Sequence, residues 1–81
     1  MEIYNVIKDC YNAEGNLDFS MVIASYATEE LARDHIELWV EQQNQSKRVA
    51  KTHRGTILHK AQYIDGRSRE IYIDRITLIG A

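Results

Sequence analysis

The stretch that decides the fold is Leu17-Asp18-Phe19-Ser20-Met21-Val22-Ile23-Ala24-Ser25-Tyr26-Ala27-Thr28-Glu29-Glu30-Leu31-Ala32-Arg33-Asp34-His35-Ile36-Glu37-Leu38-Trp39-Val40, because its hydrophobic period changes in the middle. Leu17, Phe19, Met21 and Ile23 alternate with Asp18 and Ser20, the period of a strand that turns one face to a core. Beyond Thr28 the period is helical. At about 100° per residue, Leu31, Ala32, His35, Ile36, Leu38, Trp39 and Val40 fall on one broad arc, and Trp39, like Phe19 on the strand, is expected to anchor the core. Thr28 is an N-cap, and Glu29 and Glu30 place charge where the helix macrodipole favours it.

Working outward, Tyr4 to Tyr11 is rich in β-branched and aromatic residues, and Asn12-Ala13-Glu14-Gly15-Asn16 separates it from Leu17 with turn-forming types, which predicts a β-hairpin. After the helix the reading divides. Ser46, Val49, Ala50 and His53 keep the helical phase and Gly55 suits a C′ position, so the pattern favours a helix running on toward Thr52 with a break near Gln42 to Gln45. The rival is a loop at Asn44 and a strand from Arg48. Thr56 to Ile64 and Arg69 to Ile79 form a second strand pair about Asp65-Gly66. Ile71 and Ile73 share one parity and Ile76 and Leu78 the other, which a bulge at Asp74-Arg75 would reconcile.

The expected architecture is one α+β domain over residues 1–81, β-β-α-β-β, with one amphipathic helix packed on a small antiparallel sheet. One helix covers one face. Val22, Ala24 and Tyr26, with Leu58, Tyr72 and Ile76 or Leu78, would leave the other face partly apolar, so a homodimer is expected through it. Tyr26, exposed by parity, suits that interface.

Composition narrows the function classes. With 81 residues, 44% hydrophobic and 27% charged, 4 glycines and no proline, the chain is neither collagenous nor low-complexity. No apolar run approaches the ~20 residues of a membrane span, and Met1 to Asn5 lacks the basic start of a secretion signal. The single cysteine, Cys10, cannot form an intrachain disulfide, so a reducing, cytoplasmic location is expected. His35, His53 and His59 lack zinc-site spacing, and no metal or cofactor is expected. Gly15, Gly55, Gly66 and Gly80 are isolated, which leaves no glycine-rich phosphate loop. With no nucleophile or metalloprotease motif either, no catalytic residue is assigned and the reading is non-enzymatic.

Two charged groups remain. Met1 to Ser46 carries two basic and nine acidic residues, giving −7, whereas Lys47 to Ala81 carries eight basic and three acidic, giving +5. Opposed fields of this kind steer partners. Within the acidic half, Glu30, Asp34, Glu37 and Glu41 line up along roughly 16 Å of helix axis and repel one another, an arrangement that does not serve helix stability. They are the candidate partner-binding face, suited to a basic groove. The basic half offers Arg54, Lys60, Arg67 and Arg69 as an alternative site for a phosphate, a nucleotide or nucleic acid.

At Met1-Glu2-Ile3-Tyr4-Asn5-Val6-Ile7 and Val22-Ile23-Ala24-Ser25-Tyr26-Ala27-Thr28-Glu29-Glu30-Leu31-Ala32, the chain resembles small bacteriophage and prophage accessory proteins, in which a short hairpin leads through a strand–Ser/Thr–Glu-Glu junction into one amphipathic helix. Its small size and patterned surface also resemble phage-encoded inhibitors of host defence, including the anti-CRISPR kind. The resemblance implies a non-catalytic protein of the host cytoplasm whose partner is a host protein or nucleoprotein complex. It carries over no residue roles.

Overall fold

In a computed structural model of the chain, residues 1–55 and 57–79 are described. Five strands and one helix follow in the order β1 (Glu2–Tyr11), β2 (Leu17–Tyr26), α1 (Glu29–Gln45), β3 (Val49–Arg54), β4 (Leu58–Tyr63) and β5 (Ser68–Thr77). The strands form one sheet in the order β2-β1-β5-β4-β3, each neighbouring pair antiparallel. The helix links the two edge strands and lies across one face. The α+β class with one helix on an antiparallel sheet is what the sequence pattern implies; the sheet has one strand more than that pattern.

The additional strand is β3. The helix stops at Gln45, where the Ser46 N–H donates to the Gln43 carbonyl at 3.2 Å and Ser46 is extended. Gln42 to Gln45 offer no apolar group to prolong the buried stripe. Val49 and Thr52 instead pair with Tyr63 and Ala61, so the β-branched residues of this segment join the sheet. The favoured helical extension toward Thr52 is therefore replaced by its rival, the strand.

Both turns follow local chemistry. The Asn12 side chain accepts hydrogen bonds from the Glu14 and Asn16 amides, each at 3.0 Å, and Gly15 takes a φ of +85°. Between β4 and β5, Asp65 accepts from the Arg67 amide at 3.0 Å and Gly66 has φ +90°. At the helix start, Thr28 Oγ1 accepts from the Leu31 amide at 3.3 Å.

The core lies between α1 and the central strands: Val6, Ala61 and Ile71 on the sheet meet Ala32, Ile36, Trp39 and Val40 on the helix. The β1–β5 register is unbroken from Glu2–Thr77 to Tyr11–Ser68, so no bulge occurs at Asp74-Arg75. Ile71 and Ile73 face the helix, and Ile76 shares the opposite face with Tyr72. The irregularity lies in β2, where Val6 pairs with Ala24 and Ile7 with Val22, leaving Ile23 extra. That bulge switches the phase of β2. Ala24 and Tyr26 turn to the helix side and pack against the core rather than lying on the open face, and Tyr26 is half-buried. Phe19, an expected core anchor, is 53% exposed because its end of the edge strand lies beyond the helix; Trp39 is buried as expected.

Candidate interaction surfaces

The helix period predicts one acidic stripe, and the structure divides it. Glu30, Asp34, Glu37 and Glu41 are all exposed. Glu37, however, sits on the flank toward β3, where both carboxylate oxygens meet Arg54 Nη1, at 2.9 and 3.1 Å. Arg33, the cation nearest in sequence, pairs with Glu29 at 2.9 Å. Glu30, Asp34 and Glu41 point away from the sheet and enter no ion pair among the described residues.

The basic set does not converge. Arg54 is held by Glu37 beside the helix. Lys60 lies on the open face, directly across from Glu70. Arg67, in the β4–β5 turn, has Nε 3.9 Å from Asp65. Arg69, on the helix side of β5, stacks its guanidinium 5.3 Å from the centre of the Tyr63 ring. Only Arg67 and Arg69 come together. With Arg48 they border a groove of about 590 Å³ where α1 stops short of the strand ends; Tyr63 and Phe19 add aromatic surface and Cys10 lines it as well. Helix geometry explains the opening: 17 residues span about 25 Å, less than the roughly 33 Å of a ten-residue strand. Asp18 and Asp65 also line the groove, which lowers its net positive charge. Arg48 belongs to the same basic run of the sequence but not to the four residues expected at the site; the β3–β4 pairing brings it to the groove.

Burial raises the pKa of Tyr63 above its ordinary value, and its hydroxyl donates to Gln43 Oε1 at 2.6 Å, tying the helix end to the groove wall. A second cavity, of about 310 Å³, lies on the β3 flank of α1, between Arg33 and Glu37 of the helix and His59 of β4. His59 Nδ1 is buried there with no hydrogen-bond partner among the described residues. Burial first, and the Arg54 charge second, lower the His59 pKa. His35, within the apolar arc of the helix, is half-buried and lies 2.7 Å by Nδ1 from the Tyr26 hydroxyl, which gives it a structural role.

The open face of the sheet is mixed. Val22, Ile7, Tyr72 and Leu58 form an apolar row across four strands through their pairings. The next row holds Asp9, Glu70 and Lys60, and the Tyr72 and Tyr11 hydroxyls donate to Asp9 and Glu70 at 3.4 and 3.5 Å. These contacts fix Tyr72 and Tyr11 within the sheet.

Among the described residues, no group of three His, Cys, Asp or Glu side chains is placed to hold a metal ion, and no helix is long and apolar enough to cross a membrane. The fold is a small α+β one, one helix on a five-stranded antiparallel sheet. No family model, curated protein or solved structure matches this chain.

Proposed function

We propose that this is a small, non-catalytic interaction protein that docks the outer face of α1 on a basic surface of its partner. The observation that carries this reading is the uncompensated row Glu30, Asp34 and Glu41, left exposed while the nearby arginines serve Glu29 and Glu37. An uncompensated row of this kind serves recognition and on-rate better than stability. Basic grooves of the matching kind belong to complexes that handle nucleic acid, in which the carboxylates take the place of phosphates. The resemblance to phage accessory proteins adds the context: an inhibitor of a host defence complex, acting in the host cytoplasm. Self-association belongs to the same proposal, since a dimer doubles the carboxylates offered to a partner.

The test is the variant Glu30→Gln/Asp34→Asn/Glu41→Gln. It should keep its circular dichroism and melting temperature and lose the partner. Unchanged binding refutes the acidic face.

A second reading rests on the groove with Arg48, Arg67, Arg69 and Tyr63, whose size suits a nucleotide or a short stretch of single-stranded nucleic acid. It replaces the looser set of Arg54, Lys60, Arg67 and Arg69, of which Arg54 and Lys60 lie elsewhere. Titration of a fluorescent oligonucleotide should then show salt-sensitive binding that Arg69→Ala removes. No binding at low salt refutes this reading.

A further inference from the structure

The two edges of the sheet differ in how they are guarded. An exposed edge strand presents unpaired N–H and C=O groups that invite another strand, and monomeric proteins blunt such edges with short length, bulges and basic residues. Edge strand β3 has all three: six residues, an irregular register between Val49 and Lys51, and Lys51 and Arg54 along it. Edge strand β2 has ten residues, no lysine, arginine or proline, and Asp18 as its one charge. Two irregularities, at Ile23 and Asp18, are its only protection.

The side chains around this edge are apolar. Leu17, Phe19, Met21 and Val22 on β2 are 54, 53, 44 and 53% exposed. Leu31 and Leu38 are 49 and 60% exposed and lie seven residues apart on the outward shoulder of α1 beside His35, whose contact with Tyr26 marks the flank toward β2. At roughly 150–250 Å² for a large apolar residue, these six expose roughly 600 Å². Leu17 and Val22 line the open-face side of this edge and Phe19 and Met21 its helix side, so a chain pairing along β2 covers both rows and, with the strand backbone, approaches the roughly 800 Å² per partner of a stable complex.

We infer that β2 is the dimerisation edge: a second copy of this chain pairs its own β2 antiparallel to the first, extending the sheet across a two-fold axis. The occupant is a second copy rather than a lone peptide strand because of Leu31 and Leu38. A single added strand covers the backbone edge and leaves both leucines in water. A two-fold axis perpendicular to the sheet places both helices on the same face with these flanks turned toward each other. An isologous pairing also needs no complementary partner sequence, since apolar residues meet apolar residues. Of the open face, expected from sequence to mediate the dimer, only its margin on β2, Leu17 and Val22, takes part. Although self-association belongs to the proposed function, this assignment rests on the sheet edges and on the apolar side chains beside β2, and uses none of Glu30, Asp34 and Glu41.

The experiment is sedimentation equilibrium over about 1–100 μM, paired with amide hydrogen exchange. The expected mass is twice 9.4 kDa. Throughout Leu17–Tyr26 both the amides bonded to β1 and the alternate, outward ones should be protected, and the outward set should lose protection on dilution. The outward amides of β3 should exchange freely at every concentration. Val22→Lys, which brings like charges close to the two-fold, should weaken the dimer at least about tenfold. Leu38→Lys, on the helix and away from the backbone pairing, should weaken it without changing the circular dichroism. A dimer that persists in Glu30→Gln/Asp34→Asn/Glu41→Gln supports the edge assignment even where partner binding is lost. A monomer across the whole range, a dimer indifferent to both lysine variants, or unprotected outward amides in β2 overturns it.

Discussion

Ile71 and Ile76 lie five residues apart on β5, and the structure assigns them to opposite faces. Ile71 has no exposed surface and packs in the central cluster, whereas Ile76 is 40% exposed on the helix-free side. Shortening each to valine removes one methylene while keeping the β-branch, so strand propensity stays nearly constant. At Ile71 the lost group leaves a cavity that its close-packed neighbours cannot fill, and the cost should be about 0.5–1.5 kcal/mol. Unfolding entropy of about 2.1 cal/mol/K per residue over 81 residues gives about 170 cal/mol/K. The melting temperature of Ile71→Val should therefore fall by about 3–9 °C. At Ile76 much of the removed surface already touches water, and the fall should stay below about 3 °C. Calorimetric melts of both variants in one buffer decide the matter. A loss at Ile76 equal to or greater than that at Ile71 refutes the unbroken β1–β5 register, and with it the face on which the helix lies.

Four further outcomes follow from single sites. Gly55→Ala should destabilise the β3–β4 connection, because a Cβ there runs into the Leu58 carbonyl oxygen that accepts the Gly55 amide; urea unfolding should show a lower midpoint. Since burial lowers the His59 pKa, the favourable contribution of its neutral form is complete above the ordinary value of 6.5 and is lost as pH falls through the lower folded value. Denaturant melts from pH 7 to 5 should show that decline, and His59→Gln should flatten it. Glu37→Gln removes an exposed ion pair with Arg54 and should cost less than about 1 kcal/mol in the same assay. Tyr63, with its pKa raised by burial, favours the folded state below the ordinary value of 10.0 and loses that contribution as pH rises through the folded value; Tyr63→Phe should reduce the alkaline decline, read by circular dichroism.

Much of this fold is legible where the signal is local. Thr28 with Glu29 and Glu30, Asn12 with Gly15, and Asp65 with Gly66 each specify their turn or cap within a few residues. The outward direction of Glu30, Asp34 and Glu41 is equally local, since helix period alone sets it. The features that escape are set by pairing between distant strands. Val49, Ala50 and His53 keep a helical phase, and only pairing of Val49 with Tyr63 and Thr52 with Ala61 decides for a strand. One extra residue at Ile23 turns Tyr26 from the open face to the core, and no property of Ile23 itself announces it. The basic residues looked like one group because they are close in sequence. Antiparallel pairing sends Lys60 to one face and Arg69 to the other, and brings in Arg48, which no motif marks.

The acidic face is the central claim, and affinity capture from a nuclease-treated bacterial lysate tests it most directly. The native chain and Glu30→Gln/Asp34→Asn/Glu41→Gln serve as parallel baits, with Glu14→Gln as a charge control away from the helix. A protein retained by the native chain and the control and lost from the triple variant is the expected result. Equal retention by all three baits, or retention that vanishes with nuclease, contradicts it and shifts function to another surface.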